Sequence, residues 1–272
     1  MNTSSTICLV GAGNMGGAML AGWLESGVEP SRLTVIDPAP KPEMIELLSG
    51  HDLKAIAAAS PKYQPDVLVI AAKPQMMAKV LPTLREMVGP QTVCVSVAAG
   101  TTMAAMEQHL GNCAMVRAMP NTPALLRRGI MGCFANDRVE TKQRENVDQL
   151  LHATGSVVWV DSEAQIDAVT AVSGSGPAYV FHLAECMAAA GVAEGLSEKV
   201  ANQLARETIA GAGEMLSRLP EEASQLRKNV TSPNGTTAAA LSVLMEGDAM
   251  ARLMAEAIGA ARARSQELAE ES

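Results

Sequence analysis

A glycine-rich turn near the start of the chain constrains the fold more than any other feature of the sequence. The run Thr6–Val10 leads directly into Gly11–Gly16, which reads GAGNMG, and an amphipathic segment of helical length follows. A G-x-G-x-x-G motif alone is a weak signal, but between a strand and a helix it is typical of a dinucleotide-binding fold. We expect Gly11 to permit the tight turn, Gly13 to let the backbone approach a pyrophosphate, and Gly16 to let the helix lie against the sheet.

The first 160 residues alternate short apolar runs with segments of helical length. Six runs are predicted as strands: Thr6–Val10, Leu33–Asp37, Val67–Ala71, Val93–Val97, Ala114–Met119 and Val157–Val160. Predicted helices lie between them, at 14–27, 41–50, 75–87, 101–110 and 140–152. Strands that are apolar on both faces and separated by helices indicate a parallel sheet covered on each side. We therefore predict an α/β Rossmann domain with a mostly parallel sheet over residues 1–160.

From residue 161 the pattern changes to segments rich in Ala, Leu, Met and Glu, with no predicted strand. Predicted helices cover 163–172, 177–193, 197–217, 221–228 and 236–268. We predict an all-α domain over residues 161–272. Because this domain is small for the apolar surface that it offers, we expect it to hold a homo-oligomer together through closely packed helices.

Composition excludes several classes of partner. The formal net charge of −8 provides no strong basic field for nucleic acid or an anionic membrane. The most apolar predicted helix, 177–193, is interrupted by His182 and Glu185 and is short for a membrane span. The first residues lack the basic stretch that begins a signal peptide. We expect a cytoplasmic protein.

The cysteines show no metal-ligand spacing, so no metal site is predicted. They are widely separated along the chain, at Cys8, Cys94, Cys113, Cys133 and Cys186. We interpret them as buried small hydrophobic residues in a reducing compartment.

The end of the second predicted strand bears on the choice of cofactor. Asp37 lies about twenty residues after the glycine turn, where an acid normally accepts hydrogen bonds from the adenosine ribose and repels a 2′-phosphate. This position favours NADH. In the alternative interpretation Asp37 caps the turn before Pro38, and Lys41 meets a phosphate, as NADPH would require. Both cofactors stay open.

Later strand ends are expected to complete the cofactor cleft, because ligands bind where the strands of such sheets terminate. Small residues there leave room for the dinucleotide, and the prolines of 119–123 would make a rigid loop beside the nicotinamide. Lys73 is a candidate general acid or a paired surface lysine. The predicted cofactor residues are Gly11, Ala12, Gly13, Asn14, Met15, Gly16, Asp37, Ala71, Ala72, Lys73, Pro74, Ala98, Ala99, Gly100 and Asn121.

Two segments of the helical part have unusual sequences. Residues 166–179 read IDAVTAVSGSGPAY, in which the glycines and Pro177 indicate a turn into a helix. Residues 229–241 read NVTSPNGTTAAAL, in which a turn opens the next helix. The start of that helix offers backbone donors and hydroxyl groups together and could hold a substrate carboxylate. Ordinary N-capping is the alternative.

Together these segments resemble the pyrroline-5-carboxylate reductase family. The resemblance runs through the whole chain in the order GAGNMG, AAKP, SVAAGT, MPNTP, IDAVTAVSGSGPAY and VTSPNGTTAAAL. It implies reduction of the cyclic imine 1-pyrroline-5-carboxylate to L-proline by NADPH or NADH, the last step of proline synthesis. It also implies dimers built through the helical domain, which in this family often assemble further into rings of dimers.

The resemblance also implies the substrate residues. The substrate carboxylate would lie among Ser232, Gly235, Thr236 and Thr237. The Thr237 hydroxyl would lie near the ring nitrogen and is the candidate catalytic group. Asn229 and Glu163 match family positions that line the substrate pocket.

The sequence departs from many family members at two positions. Asn234 stands where many members have glycine, although asparagine tolerates left-handed backbone angles. Asp37 stands where many members that use NADPH lack an acid. This second departure leaves the cofactor preference open.

The proposed chemistry agrees with these residue types. A protonated imine is already an electrophile, so hydride transfer mainly requires the correct orientation of the two reactants. A threonine hydroxyl can hydrogen-bond the nitrogen without being an acid of tuned pKa. All four histidines lie outside the two unusual segments, at His51, His109, His152 and His182. We interpret each of them as a surface or packing residue.

Three other functions are alternatives to this one. A β-hydroxyacid dehydrogenase would have a catalytic lysine on the helix after a glycine turn, but here Gly176 is followed by Pro177 and the next lysine is Lys199. A reductase of another cyclic imine stays open. A non-catalytic dinucleotide-binding protein would have no need of the loop between Ser232 and Thr237.

Overall fold

The chain forms two compact units in a computed structural model, which describes residues 5–58, 60 and 63–270. One unit contains the residues up to Ser175 together with those from Ala261 onward, and the second contains Gly176–Ala260. The domain boundary between residues 160 and 161 stays a prediction.

The first unit contains an eight-stranded sheet with the strand order β3-β2-β1-β4-β5-β6-β7-β8. All neighbouring strands are parallel except β6 and β7. The mostly parallel Rossmann sheet predicted from the sequence is therefore confirmed. The strands are β1 Ile7–Val10, β2 Leu33–Ile36, β3 Ala55–Ile56, β4 Val67–Ile70, β5 Val93–Ser96, β6 Ala114–Met119, β7 Gly129–Ala135 and β8 Gly155–Trp159.

Helices cover both faces of this sheet. Alternate residues of β1 enter different cores: Ile7 and Leu9 pack in one cluster, and Cys8 and Val10 in the other. Burial on both faces explains why the strands are continuously apolar. The helices of this unit are α1 Asn14–Glu25, α2 Pro42–Ser49, α3 Met77–Leu84, α4 Met103–Leu110, α5 Thr141–His152 and α6 Gln165–Val169, and a π-helical turn, Thr170–Gly174, follows α6.

Strand β7 and the two-residue strand β3 were absent from the sequence prediction. The chain leaves β6 through a short 3₁₀ helix, Thr122–Leu126, and turns back, so β7 runs antiparallel to β6. Because no long helix separates these two strands, the alternation that identified the other strands is missing here. Strand β8 also begins earlier than predicted, at Gly155.

The helical part contains α7 Gly176–Ala193, α8 Glu198–Arg218, α9 Ala223–Asn229, α10 Thr236–Met245 and α11 Ala249–Glu270. The single helix predicted over 236–268 is wrong. A 3₁₀ turn, Glu246–Asp248, interrupts it, with Gly247 at φ 53° and Asp248 at φ 56°. Left-handed backbone angles cannot continue a right-handed helix, and glycine adopts them without steric cost.

Small residues bring α7 and α8 together around Ala188, Ala201 and Ala205. Large apolar side chains in the second unit nevertheless stay exposed, including Phe181 at 64% and Val243 at 69%. Within the described ranges, none of the helices combines the length and apolarity needed to cross a membrane.

Candidate active site

Three loops meet at one edge of the sheet because β1, β4 and β5 end in register. The amide of Gly11 donates to the Ile36 carbonyl at 2.8 Å, and the Ala71 amide donates to the Val10 carbonyl at 2.8 Å. In the same way, the Val97 amide donates a hydrogen bond to the Ile70 carbonyl at 3.0 Å. From β1 the chain continues to β2 on one side of the sheet, and from β4 it continues to β5 on the other side. The edge between β1 and β4 therefore contains the topological switch point, where ligands of such sheets bind.

The glycines of the turn differ in what surrounds them. Gly11 has φ 89°, and a Cβ atom there would lie 2.8 Å from the Ala71 carbonyl oxygen. A Cβ atom on Gly16 would overlap the Gly11 carbonyl oxygen, so close packing of the turn against α1 requires glycine. At Gly13 no atom lies within 4 Å of the same position. The open space at Gly13 fits the approach of a ligand such as a dinucleotide pyrophosphate.

The N-terminus of α1 is suited to an anion. Gly13 is its N-cap residue, no side chain caps the helix, and its first turn has no acidic residue. The first hydrogen bond of the helix runs from the Gly17 amide to the Gly13 carbonyl at 2.7 Å. The amides before Gly17 therefore have no carbonyl partner within the helix, and the helix dipole adds partial positive charge.

Both oxygens of the Asp37 carboxylate accept hydrogen bonds from backbone amides. The donors are Ala12 in the glycine turn, at 2.8 Å, and Ala39, at 2.9 Å. The Nζ atom of Lys41 donates to the Oδ1 atom of Asn14 at 2.7 Å, which places a cation beside the glycine turn. These contacts agree with the interpretation of Asp37 as a turn cap with Lys41 available to an anion.

The two loops that follow β4 and β5 border a groove of about 450 Å³. Pro74 lies on one side, and Ala99 and Gly100 lie on another. Ala71, Ala72 and Ala98 are half-buried at the same strand ends, whereas Lys73 is exposed.

The loop after β6 is held by Asn121. Its Oδ1 atom accepts a hydrogen bond from the Ile130 amide at 3.0 Å, and its carbonyl accepts one from Ala124 at 3.1 Å. Asn121 therefore fixes the proline-containing loop to the first residues of β7.

Glu163 connects three elements of the first unit. Its Oε1 atom lies 2.6 Å from the Nη1 atom of Arg117 on β6 and accepts a hydrogen bond from the Met103 amide, the first of α4, at 2.8 Å. The Arg117 side chain is 8% exposed, and that of Glu163 is 32% exposed. Sequence reasoning named Glu163 but missed Arg117. An arginine inside the otherwise apolar run of β6 was the available signal, since a buried charge requires a partner.

The loop before α10, in the second unit, forms the turn that the sequence indicates. Asn234 has φ 60°, in the left-handed region that asparagine tolerates. A Cβ atom on Gly235 would overlap the Ser232 hydroxyl, and the Gly235 amide donates to the Ser232 carbonyl at 3.1 Å. The Oδ1 atom of Asn229, at the end of α9, accepts a hydrogen bond from the Nε2 atom of Gln225 at 2.7 Å.

The start of α10 has no side-chain cap. Gly235 is the N-cap residue, so Ser232, Thr236 and Thr237 do not serve as the ordinary cap that was the alternative interpretation. Thr236 is exposed and Thr237 is half-buried. Uncapped amides and nearby hydroxyl groups provide donors for a carboxylate.

Comparison with known proteins identifies the family. A curated pyrroline-5-carboxylate reductase from Pseudomonas aeruginosa is 41% identical over 267 residues, covering 97% of each chain. This chain belongs to the pyrroline-5-carboxylate reductase family. A curated member from Mycobacterium tuberculosis is 37% identical and covers 96% of each chain.

Family models and a solved structure agree with this assignment. Residues 163–268 match the model described as pyrroline-5-carboxylate reductase dimerisation, and residues 6–100 match the model described as NADP oxidoreductase coenzyme F420-dependent. The structure of a pyrroline-5-carboxylate reductase from Coxiella burnetii superimposes with a TM-score of 0.91 at 33% identity, covering 98% of this chain and 99% of that one. The predicted Rossmann domain followed by a helical domain is thus confirmed as the fold of this pyrroline-5-carboxylate reductase family member.

The predicted site residues fall into two sets. The predicted cofactor residues all lie in the first unit, on the turns that follow β1, β2, β4, β5 and β6 and, for Asn14, Met15 and Gly16, in the first turn of α1. Glu163 also belongs to the first unit, whereas the other substrate residues belong to the second, at Asn229, Ser232, Gly235, Thr236 and Thr237. The binding roles of both sets stay predictions.

Proposed function

We propose that this protein reduces 1-pyrroline-5-carboxylate to L-proline by hydride transfer from NADPH or NADH. The observation that carries the proposal is the uncapped N-terminus of α10 beside Ser232 and Thr237, in a chain that is similar to pyrroline-5-carboxylate reductases over its full length. A five-membered imino acid presents one carboxylate and one C=N bond. The start of α10 has the amide and hydroxyl donors to hold both.

The first unit would hold the dinucleotide. The pyrophosphate of the dinucleotide fits the open space at Gly13 and the uncapped amides of α1. Ala98–Gly100 leave room for the planar nicotinamide ring at the end of β5. The reduced nicotinamide supplies the hydride when it is bound. The protein's task is then to orient the imine carbon toward it, because orientation accounts for most of what such a transfer requires.

The second unit would hold the substrate. Amides at the start of α10 and the Ser232 hydroxyl bind the carboxylate, while Arg227 and Lys228 in the last turn of α9 add positive charge before the loop. The Thr237 hydroxyl donates a hydrogen bond to the ring nitrogen as it becomes a neutral amine. No strong acid is needed at this step, since the imine nitrogen is already protonated.

NADPH is the better match of the two cofactors. Both oxygens of Asp37 already accept backbone hydrogen bonds, which reduces their availability to ribose hydroxyls, and Lys41 lies beside the turn. A 2′-phosphate would gain a cation there. The structure of the enzyme from Plasmodium falciparum, 26% identical to this chain, has NADP bound.

The exposed apolar side chains of the second unit support a homodimer formed through its helices. Burying Phe181 and its neighbours removes apolar area from water, which drives association. We further propose that the dimers assemble into a ring. We also propose that the enzyme is cytoplasmic. Light scattering of the purified protein measures its molar mass and so tests both the dimer and the ring. A monomeric protein at micromolar concentration would contradict both.

The assay that tests the activity follows the absorbance of the reduced nicotinamide with a panel of cyclic imines. We expect oxidation of the cofactor with 1-pyrroline-5-carboxylate and much slower oxidation with unsubstituted 1-pyrroline, which lacks the carboxylate. A faster reaction with a six-membered imino acid would instead make the protein a reductase of another ketimine.

A further inference from the structure

Two cysteines lie in contact at the amino ends of the neighbouring parallel strands β5 and β6 in the first unit. Cys94 is the second residue of β5, and Cys113 directly precedes β6, so α4 lies between them in the chain. Their Sγ atoms are 3.8 Å apart and share a thiol hydrogen bond. Cys94 is fully buried, whereas Cys113 is half-buried. The pair therefore has one inner member and one member that solvent reaches.

The surroundings of Cys113 favour its thiolate. The hydrogen bond between the Cys113 and Cys94 thiols lowers the pKa of Cys113, and the guanidinium groups of Arg138 and Arg85 lower it further, against the effects of burial and of the Glu107 carboxylate. The same hydrogen bond, together with burial, raises the pKa of Cys94. Since the thiolate is the nucleophilic form, Cys113 is the reactive member and Cys94 is the protonated partner beside it.

The other cysteines differ from this pair. Burial raises the pKa of Cys8 and that of Cys133 to about 12, which leaves both thiols protonated. Cys186 is exposed on α7, with its Sγ atom 3.6 Å from the Nε2 atom of His182. The interpretation of all the cysteines as buried is therefore wrong for Cys186 and incomplete for Cys113.

We propose that Cys113 and Cys94 are a dithiol that hydrogen peroxide oxidises to an intramolecular disulfide. The Cys113 thiolate attacks one peroxide oxygen, so that an S–O bond forms, the O–O bond breaks and hydroxide leaves. The Cys94 sulfur then attacks the sulfenic sulfur of Cys113, the S–S bond forms, and the S–O bond breaks. The Cys94 proton leaves with that oxygen as water. The two thiols are oxidised, the peroxide is reduced, and an external dithiol reverses the change.

Closing the bond requires little movement. A disulfide has its sulfur atoms about 2.0 Å apart, so the two Sγ atoms must approach by about 2 Å. Cys113 lies directly before β6, which begins at Ala114, and its carbonyl accepts a hydrogen bond from the Nδ2 atom of Asn136 at 2.9 Å, so side-chain rotation has to provide most of this approach. The disulfide would join β5 to the residue before β6 at the amino ends of these parallel strands, the sheet edge opposite to Ala98–Gly100.

Peptide mapping tests the proposal directly, because trypsin leaves both cysteines in one peptide, Glu86–Arg117, and cleavage after Glu107 separates them. The reduced protein is treated with stoichiometric hydrogen peroxide, blocked with iodoacetamide and digested with both proteases. We expect the two halves to stay linked until dithiothreitol is added. Cys113→Ser should abolish the link, and the matched control Cys186→Ser should leave it unchanged.

Limited alkylation of the native reduced protein at neutral pH provides the second measurement. We expect iodoacetamide to modify Cys113 at least about tenfold faster than Cys8 or Cys133, because their thiolate fractions differ by more than that. The proposal is overturned if Cys113 accumulates sulfinic acid while Cys94 stays a free thiol, or if the link joins peptides of two different chains. Both readouts are independent of the reductase activity.

Discussion

The carboxylate of Asp37 accepts a hydrogen bond from the backbone amide of Ala12, 2.8 Å away, inside the glycine turn. The acid at the end of β2 therefore holds the cofactor turn in place, in addition to any contact with a ribose. Its second oxygen accepts from Ala39 at 2.9 Å and fixes the turn that leads toward Lys41. Asp37 is thus a structural part of the proposed site for either cofactor.

Replacing Asp37 should weaken both cofactors together. Asp37→Ala removes two charge-assisted hydrogen bonds, each worth about 1.5–3 kcal/mol, so we expect kcat/KM to fall at least about tenfold with NADPH and with NADH. Lys41→Ala, the matched variant, should lower kcat/KM for NADPH alone. Steady-state kinetics with both cofactors measure the two effects. If Asp37→Ala instead raises the efficiency with NADPH, repulsion of the 2′-phosphate is the main role of this acid.

Alanine substitutions at Gly16 and Gly13 should change different properties: the first should lower protein stability, and the second should weaken cofactor binding. Gly16→Ala forces a methyl group onto the Gly11 carbonyl and should destabilise the protein by about 1–3 kcal/mol, as overpacking does. Gly13→Ala meets no protein atom, so its thermal midpoint should stay near that of the wild type while the KM for the cofactor rises about tenfold or more. Thermal unfolding and cofactor titration separate the two outcomes. A Gly13→Ala protein with unchanged cofactor affinity would contradict the pyrophosphate site.

Glu163 should contribute more to stability than its position at the surface suggests. Glu163→Ala leaves Arg117 buried without its partner and the Met103 amide without its acceptor, so we expect a loss of about 2–3 kcal/mol in urea unfolding. Glu163→Gln keeps an acceptor for that amide and should lose about half as much. Unchanged stability in both variants, together with a raised KM for the imine, would make Glu163 a substrate residue alone.

Thr237→Ala should lower turnover by about tenfold, because a hydrogen bond of about 1–2 kcal/mol to the ring nitrogen is lost in the transition state. Ser242→Ala on the same helix is the control, since the Ser242 hydroxyl donates to the Ala239 carbonyl of its own helix at 2.7 Å. The measurement is kcat with saturating imine. Equal rates in the Thr237 variant and the wild type would remove this hydroxyl from the mechanism.

Local patterns were sufficient to predict six of the eight strands of the sheet and the glycine turn. The continuous apolar run of β1 and the glycines that follow it depend on neighbours in sequence, so they can be recognised without the fold. The same holds for Asn234, whose left-handed angle agrees with its residue type.

Features that depend on distant residues could not be predicted. The pair of Arg117 and Glu163 joins positions 46 residues apart, and the contact of Asp37 with Ala12 spans 25 residues. Strand β7 was not predicted because it pairs antiparallel with β6 after a short turn, without the long helix that separates most other neighbouring strands in the sequence. The break at Gly247 was not predicted because a single glycine within a helical sequence pattern does not by itself indicate where a helix ends.

Transfer of deuterium tests the central claim most directly. The protein is mixed with 1-pyrroline-5-carboxylate and NADPH carrying deuterium at both positions of nicotinamide C4, and the product is analysed by mass spectrometry and NMR. Hydride transfer onto the C=N bond predicts L-proline with one deuterium at C5, the former imine carbon. Proline without deuterium, or no proline while the cofactor stays reduced, would contradict the account.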